Sequence, residues 1–322
     1  LGIIDSLSAG YRFVGSKLWL LIIPVALDLF LWLAPRLSVA PLFDRLAAFY
    51  RDASALAALP VEMTEMSATM ADGLTSLGAT SNLWDGLVSL VLFHVPSLMT
   101  TAGLPASDRI WPISNGLVAF LLWVGLSLVG LWIGVFYLSL LASVLPMGAA
   151  PKPATPASFL WASLRHWLRV VGFIAMTLAL ILAVYAPASI FASLLALVAP
   201  ALGLGLASFL GLTTLVLFLF LYFVTPAIIL DDLGVWAAVA RSLHLVRRSF
   251  WSVLGFAVLI NVIFAGMGLL LARVATYEPF GTLAAIFLDA YVGVGLSMAL
   301  LVFYRTRVLA EQGASVMGDI VA

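Results

Sequence analysis

Asp28, Arg273, Asp289 and Asn261 are polar side chains that fall inside or at the edge of long apolar runs. Ionisable groups in such runs are expensive and face protein or water rather than lipid. Asp28 belongs to the first run, Asn261 and Arg273 to the middle and end of the fifth, and Asp289 to the sixth. At about 1.5 Å of rise per residue, both acids lie roughly 10–12 Å inside their runs. Two arrangements satisfy a set like this. Carboxylates sharing Arg273 or Arg36 form a structural ion pair or plug between helices. The same carboxylates, reached by water, form a proton- or cation-linked site.

Other chemistry has little to work with. The chain has no cysteine, so disulfides, thiolate metal sites and cysteine nucleophiles are excluded. Its three histidines, His94, His166 and His244, have no ligand spacing on a spanning run, so neither haem nor zinc is expected. No phosphate-binding glycine loop, nucleophile elbow or HExxH pair occurs. Fifteen Lys and Arg balance fifteen Asp and Glu, with no basic tail for nucleic acid. The expectation is a non-catalytic protein with no metal and no cofactor, bound lipid aside.

The elements that carry these residues follow from composition. Hydrophobic residues make up 64% of the chain and charged ones 9%, against roughly 45–50% and 25% in soluble domains. The bilayer must therefore be the solvent. Six runs can cross it: 18–34, 116–145, 170–198, 202–224, 250–272 and 282–304. Asp28 within the first run marks a retained helix rather than a cleaved signal. Pro146 and Pro226 close the second and fourth runs and Pro187 kinks the third. Thr155-Pro156 reads as an N-cap followed by proline at the first helical position.

Short basic amphipathic segments precede three of the runs. In 235–251, Trp236, Val239, Leu243, Val246 and Phe250 recur at helical spacing, with Arg241, His244 and Arg248 opposite. Residues 163–169 repeat the theme, as do Ile4, Leu7, Tyr11, Val14 and Leu18 with Asp5, Ser8 and Arg12 opposite. These are interfacial feet, with Arg12, Arg165, Arg169, Arg241, Arg247 and Arg248 toward anionic headgroups. Lys17, Lys152, Arg305 and Arg307 fall on the same side, so both termini are expected to be cytoplasmic.

The chain thus divides into 1–34 (foot and first span), 35–114 (an external helical cap) and 115–322 (five further spans with feet). Leu42, Leu46, Phe49 and Ala53 make one cap stripe; Met63, Met66, Met70, Leu74 and Leu77 make another. The apolar stretch 83–99 reads as interfacial or re-entrant in preference to a seventh span. Gly130 with Gly134, and the ladder Gly203, Ala207, Gly211, are faces on which helices approach closely, expected to pack within the chain.

Residues 226–251, PAIILDDLGVWAAVARSLHLVRRSFW, carry a family signal. The run resembles a segment of the membrane domain of some bacterial glycerophosphodiester phosphodiesterases and of related six-span bacterial membrane proteins. Arg241, Ser242, Arg247 and Trp251 match its pattern. The likeness extends in less detail over 159–304, and 35–114 lies outside it. No phosphodiesterase domain accompanies it, so the resemblance implies a fold and a membrane role without a reaction. The expectation is an all-α polytopic bundle of six transmembrane helices in a bacterial inner membrane. It acts as scaffold, accessory subunit or lipid-interacting element, with lipids, other subunits or a second copy as partners. The alternative is a transporter of a small or lipidic solute coupled through Asp28 and Asp289.

Overall fold

The computed structural model describes residues 2–56, 61–88, 96–101, 107–145, 155–311 and 313. The apolar runs form helices, the open-chain solution that pairs every backbone group where no water can. In order come α1 (Ile3–Ser16), a 3-10 turn (Leu18–Leu21), α2 (Ile22–Leu33), β1 (Pro35–Ser38), α3 (Ala40–Leu56) and α4 (Val61–Thr80). A 3-10 turn (Leu83–Leu87), α5 (Leu98–Thr101), β2 (Ser107–Pro112) and α6 (Gly116–Val144) follow. Then come α7 (Pro156–Leu180), a π turn (Ile181–Tyr185), α8 (Ala186–Val198), α9 (Pro200–Phe220) and α10 (Val224–Leu230). The last are α11 (Val235–Arg248), α12 (Phe250–Ala275) and α13 (Phe280–Glu311). Five helical stretches are long and apolar enough to cross a membrane, or six if the bent pair Ile3–Ser16 and Leu18–Leu33 is one span. The protein is an all-α polytopic membrane bundle. Its one sheet among the described residues is the parallel pair β1–β2.

Local chemistry sets the boundaries. The Thr155 hydroxyl accepts from the Ser158 N–H at 3.2 Å and Pro156 opens α7, as N-cap and N1 preferences require. The π turn ends two residues before Pro187, which has no N–H to give the preceding turn; the wider turn absorbs that misfit. Pro226 does not close the fourth span. It sits in the first turn of α10, where an N–H would have no intrahelical acceptor, and α10 is buried along its whole length. The three basic segments also differ. Residues 163–169 run without a break into the span of α7, whereas α11 is separated from α12 at Ser249.

Two compact units are present. The first comprises Leu1–Leu20, Val135–Gly266 and Tyr291–Ala322. Its centre is the second half of α13, where Phe303 stacks on Phe256 with ring centroids 4.1 Å apart and Phe223 lies 5.7 Å from Tyr304. Helix α1 packs on α13 through a face of small residues, Ser6, Ala9, Gly10 and Val14. A Cβ on Gly10 would lie 2.6 Å from the Gly295 carbonyl oxygen, so only glycine permits this crossing. Ile4, from the expected apolar stripe, points outward. In the α8–α9 pair, a Cβ on Gly203 would meet the Ala196 Cα at 2.4 Å, while Ala207 and Gly211 are exposed and Gly211 has open space beside it.

The second unit comprises Leu21–Gly134 and Met267–Ala290. Leu31, Val88, Leu98, Leu271, Ala285 and Ile286 form its core. The Leu83–Leu87 turn lies against α6, so close that a Cβ on Gly130 would sit 2.1 Å from the Leu87 carbonyl oxygen; Gly134 is buried. Helices α3 and α4 pair through Ala47, Ala71 and the contact of Gly78 with Phe43. Of the two cap stripes, Leu46, Phe49, Met63, Met66, Met70 and Leu77 are exposed, while Leu42 and Leu74 are partly buried. Of the ambiguous 83–99 segment, the described parts are a five-residue turn and the start of the four-residue α5, each too short to span. Residues 89–95, with His94, lie outside the described residues.

Candidate functional site

The elbow between α10 and α11 gathers the densest polar network of the first unit. Asp231 and Asp232 are the one place in the sequence where two acids adjoin. Asp232 has φ +53°, a left-handed conformation that Asp and Asn tolerate better than other side chains. That turn points the two carboxylates at different helices. Asp231 accepts from the Tyr304 hydroxyl and from Arg305 Nη1 at 3.1 Å, holding the end of α13. Asp232 accepts from Arg165 Nη2 at 2.7 Å and from Arg169 Nη1, which also donates to the Asp232 carbonyl at 2.8 Å, holding α7.

His166 extends the network. Its Nε2 lies 3.3 Å from Asp232 Oδ1 and its Nδ1 lies 3.4 Å from the Ser139 hydroxyl on α6. A serine, an imidazole and a carboxylate in line invite comparison with a nucleophilic triad. Here both Ser139 and His166 are buried, the serine contact is long, and two guanidinium groups already occupy the carboxylate. The chain therefore ties α6 and α7 to the elbow.

Ser242 completes the construction from the foot helix. Its hydroxyl donates to the Phe220 carbonyl at 2.6 Å and accepts from the Phe223 N–H at 3.1 Å. These are backbone groups orphaned where α9 breaks before α10. The inward face of α11, Ala238, Ser242, Leu245 and Val246, is buried. Outward it presents Trp236 together with Arg247 and Arg248, and Trp251 follows at the start of α12; all four are exposed. Beside the elbow a cleft of about 670 Å³ is lined by Asp231, Arg241, His244 and Arg305.

The cations expected at a lipid surface thus fall into two groups. Arg165 and Arg169 bind Asp232, and Arg241 lies 3.4 Å from Glu311. Arg12, Arg247 and Arg248 are exposed and make no ion pair among the described residues.

The deep polar residues sit differently from the expected cluster. Asp28 is fully buried in the second unit and accepts from the Ser97 hydroxyl and, at 2.9 Å, from the Leu98 N–H. It thereby caps α5 instead of pairing with an arginine. Asp289 is buried in the same unit, and its Oδ2 has no hydrogen-bond partner among the described residues. Arg273 is exposed and forms no ion pair there with either acid. Asn261 donates to the Ala257 carbonyl of its own helix at 2.8 Å. No group of three potential metal ligands occurs among the described residues.

Nothing in the sequence singles out Ser97, Ser139, Tyr304 or the anchoring roles of Asp231, Asp232 and Ser242. The one available signal was the adjacent acid pair in a chain with so few charges. No family model, curated protein or solved structure matches the chain.

Proposed function

We propose that this integral membrane protein is non-catalytic and engages anionic lipid through its foot helix, as a scaffold, accessory subunit or lipid-interacting element of a bacterial inner membrane. The observation that carries this reading is the two-sided build of α11. Its inner face is pinned by Ser242 and flanked by the Asp231–Asp232 elbow, while Trp236, Arg247, Arg248 and Trp251 are exposed. Aromatic rings and cations on one fixed surface suit the headgroup level of a bilayer. The excess of Lys and Arg on that side makes it cytoplasmic, together with both termini. The resemblance of 226–251 to membrane domains of phosphodiesterases agrees with a membrane role lacking its own reaction. The test is electron spin resonance of the protein in bilayers doped with spin-labelled lipids. Anionic lipids should be over-represented in the immobilised fraction, less so at high salt; equal immobilisation of anionic and zwitterionic lipids would refute the reading.

A second reading is a transporter coupled through Asp28 and Asp289, favoured by an Asp289 Oδ2 with no hydrogen-bond partner among the described residues. Proteoliposomes carrying the protein should then dissipate a pH gradient faster than empty ones, and Asp289→Asn should stop it. Equal rates with and without protein would dismiss this reading.

A further inference from the structure

A lateral cleft of about 410 Å³ opens in the first unit between the π turn, α9 and α11. Its walls are apolar: Leu180 and Val184 on one side, Val216 and Leu217 on the other, Leu243 beneath. One charged group lines it, Arg247, at its foot end. At its far end the Tyr185 hydroxyl donates to Thr213 Oγ1 at 3.3 Å, bridging the two walls. From Thr213 to Phe220, both of which line it, α9 rises about 10 Å. That is about two-thirds of one leaflet, taking the hydrocarbon core as roughly 30 Å. The gap has a local cause: the π turn before Pro187 widens the helix just where α9 passes.

We propose that this cleft is a binding site for one anionic phospholipid, its headgroup on Arg247 and the upper part of an acyl chain between Val184 and Leu217. Charge and shape select this occupant. A cation without an ion pair among the described residues, at one end of an apolar slot open to the side, matches an anionic head joined to a hydrocarbon tail. A soluble phosphate would leave the slot unfilled, and a neutral chain would gain nothing from Arg247. The proposal rests on the reading that α11 faces anionic lipid, but it is narrower: it requires a single stoichiometric site at Arg247, where that reading requires only a charged surface.

Native mass spectrometry of the whole protein, titrated with phosphatidylglycerol or with phosphatidylcholine of equal chain length, tests it. One phosphatidylglycerol should bind ahead of the rest. Arg247→Gln should weaken it about fivefold, the weight of one arginine near an anionic headgroup, while Arg248→Gln should change it less than twofold. Val184→Trp fills the slot at a position 52% exposed, so folding is spared, and it should abolish the first binding event for both lipids. Equal effects of the two arginine substitutions, or unchanged binding in Val184→Trp, would overturn the site while leaving a diffuse lipid surface intact. Displacement of the lipid by glycerol phosphate alone would assign the site to a soluble anion and overturn it too. No preference for phosphatidylglycerol in any form would remove both the site and the broader reading.

Discussion

The hydroxyl of Ser242 donates to the carbonyl oxygen of Phe220 at 2.6 Å. Through that bond a residue of the foot helix closes the break between α9 and α10, and the same oxygen accepts from the Phe223 N–H. Ser242→Ala strands two backbone groups, with Phe223 fully buried. The expected loss is about 1–3 kcal/mol, read as a fall of several degrees in the thermal midpoint of the purified protein. A midpoint unchanged within a degree would show that water or backbone relaxation does the same work.

At Asp232, charge and backbone conformation separate experimentally. Asp232→Asn keeps a residue that accepts φ +53° but gives up the negative charge facing Arg165 and Arg169. Asp232→Ala loses both, and the left-handed backbone adds about 1–2 kcal/mol for an ordinary side chain. Alanine should therefore destabilise more than asparagine in chemical unfolding. The reverse order would mean that the turn is not held as described.

Two glycines give opposite outcomes. Gly130→Ala drives a methyl into the Leu87 carbonyl, 2.1 Å from the new Cβ, and Gly211→Ala enters open space. The first should destabilise by about 1–3 kcal/mol or more through overpacking. The second should be neutral or gain about 0.5–1 kcal/mol of helix propensity. Comparable losses at both would contradict the close approach at Gly130 or assign Gly211 a partner.

Asp85, in the turn outside the spans, carries a pH dependence. Burial raises its pKa to about 6 against the opposing pull of the Arg36 guanidinium. A carboxyl raised in the folded state contributes stability that is full below its unfolded value of about 4 and is lost as pH rises through about 6. The midpoint should fall between pH 4 and pH 6.5, and Asp85→Asn should flatten that slope. An identical slope in the variant would exclude Asp85 as its source.

Much of this architecture is written in hydropathy. The runs containing Leu131, Val294 and Val253 had to be helices, because no other open backbone survives in lipid. Thr155-Pro156 marked the start of α7 and Pro187 its irregularity, since each acts on its own backbone. What hydropathy could not convey is which face meets protein. Amphipathic periodicity picks out the large residues Ile4 and Trp236, yet Gly10 and Ser242 make the contacts, because in lipid a large apolar face loses nothing by staying outside. The partners of the deep acids are hidden for a related reason: spacing on separate helices does not reveal that Ser97 and the Leu98 N–H, and not Arg273, come back to meet Asp28. Asp231 and Asp232 stood out only as neighbours, and their partners lie more than sixty residues away in either direction.

The most direct measurement is the lipid composition of the protein purified gently from its native membrane, set against the bulk lipid of that membrane. If the foot surface engages anionic lipid, anionic phospholipid should be enriched in the particles. Enrichment should drop in a variant carrying Arg12→Gln, Arg247→Gln and Arg248→Gln. Particles whose lipid matches the bulk, unaltered by those three substitutions, would contradict it.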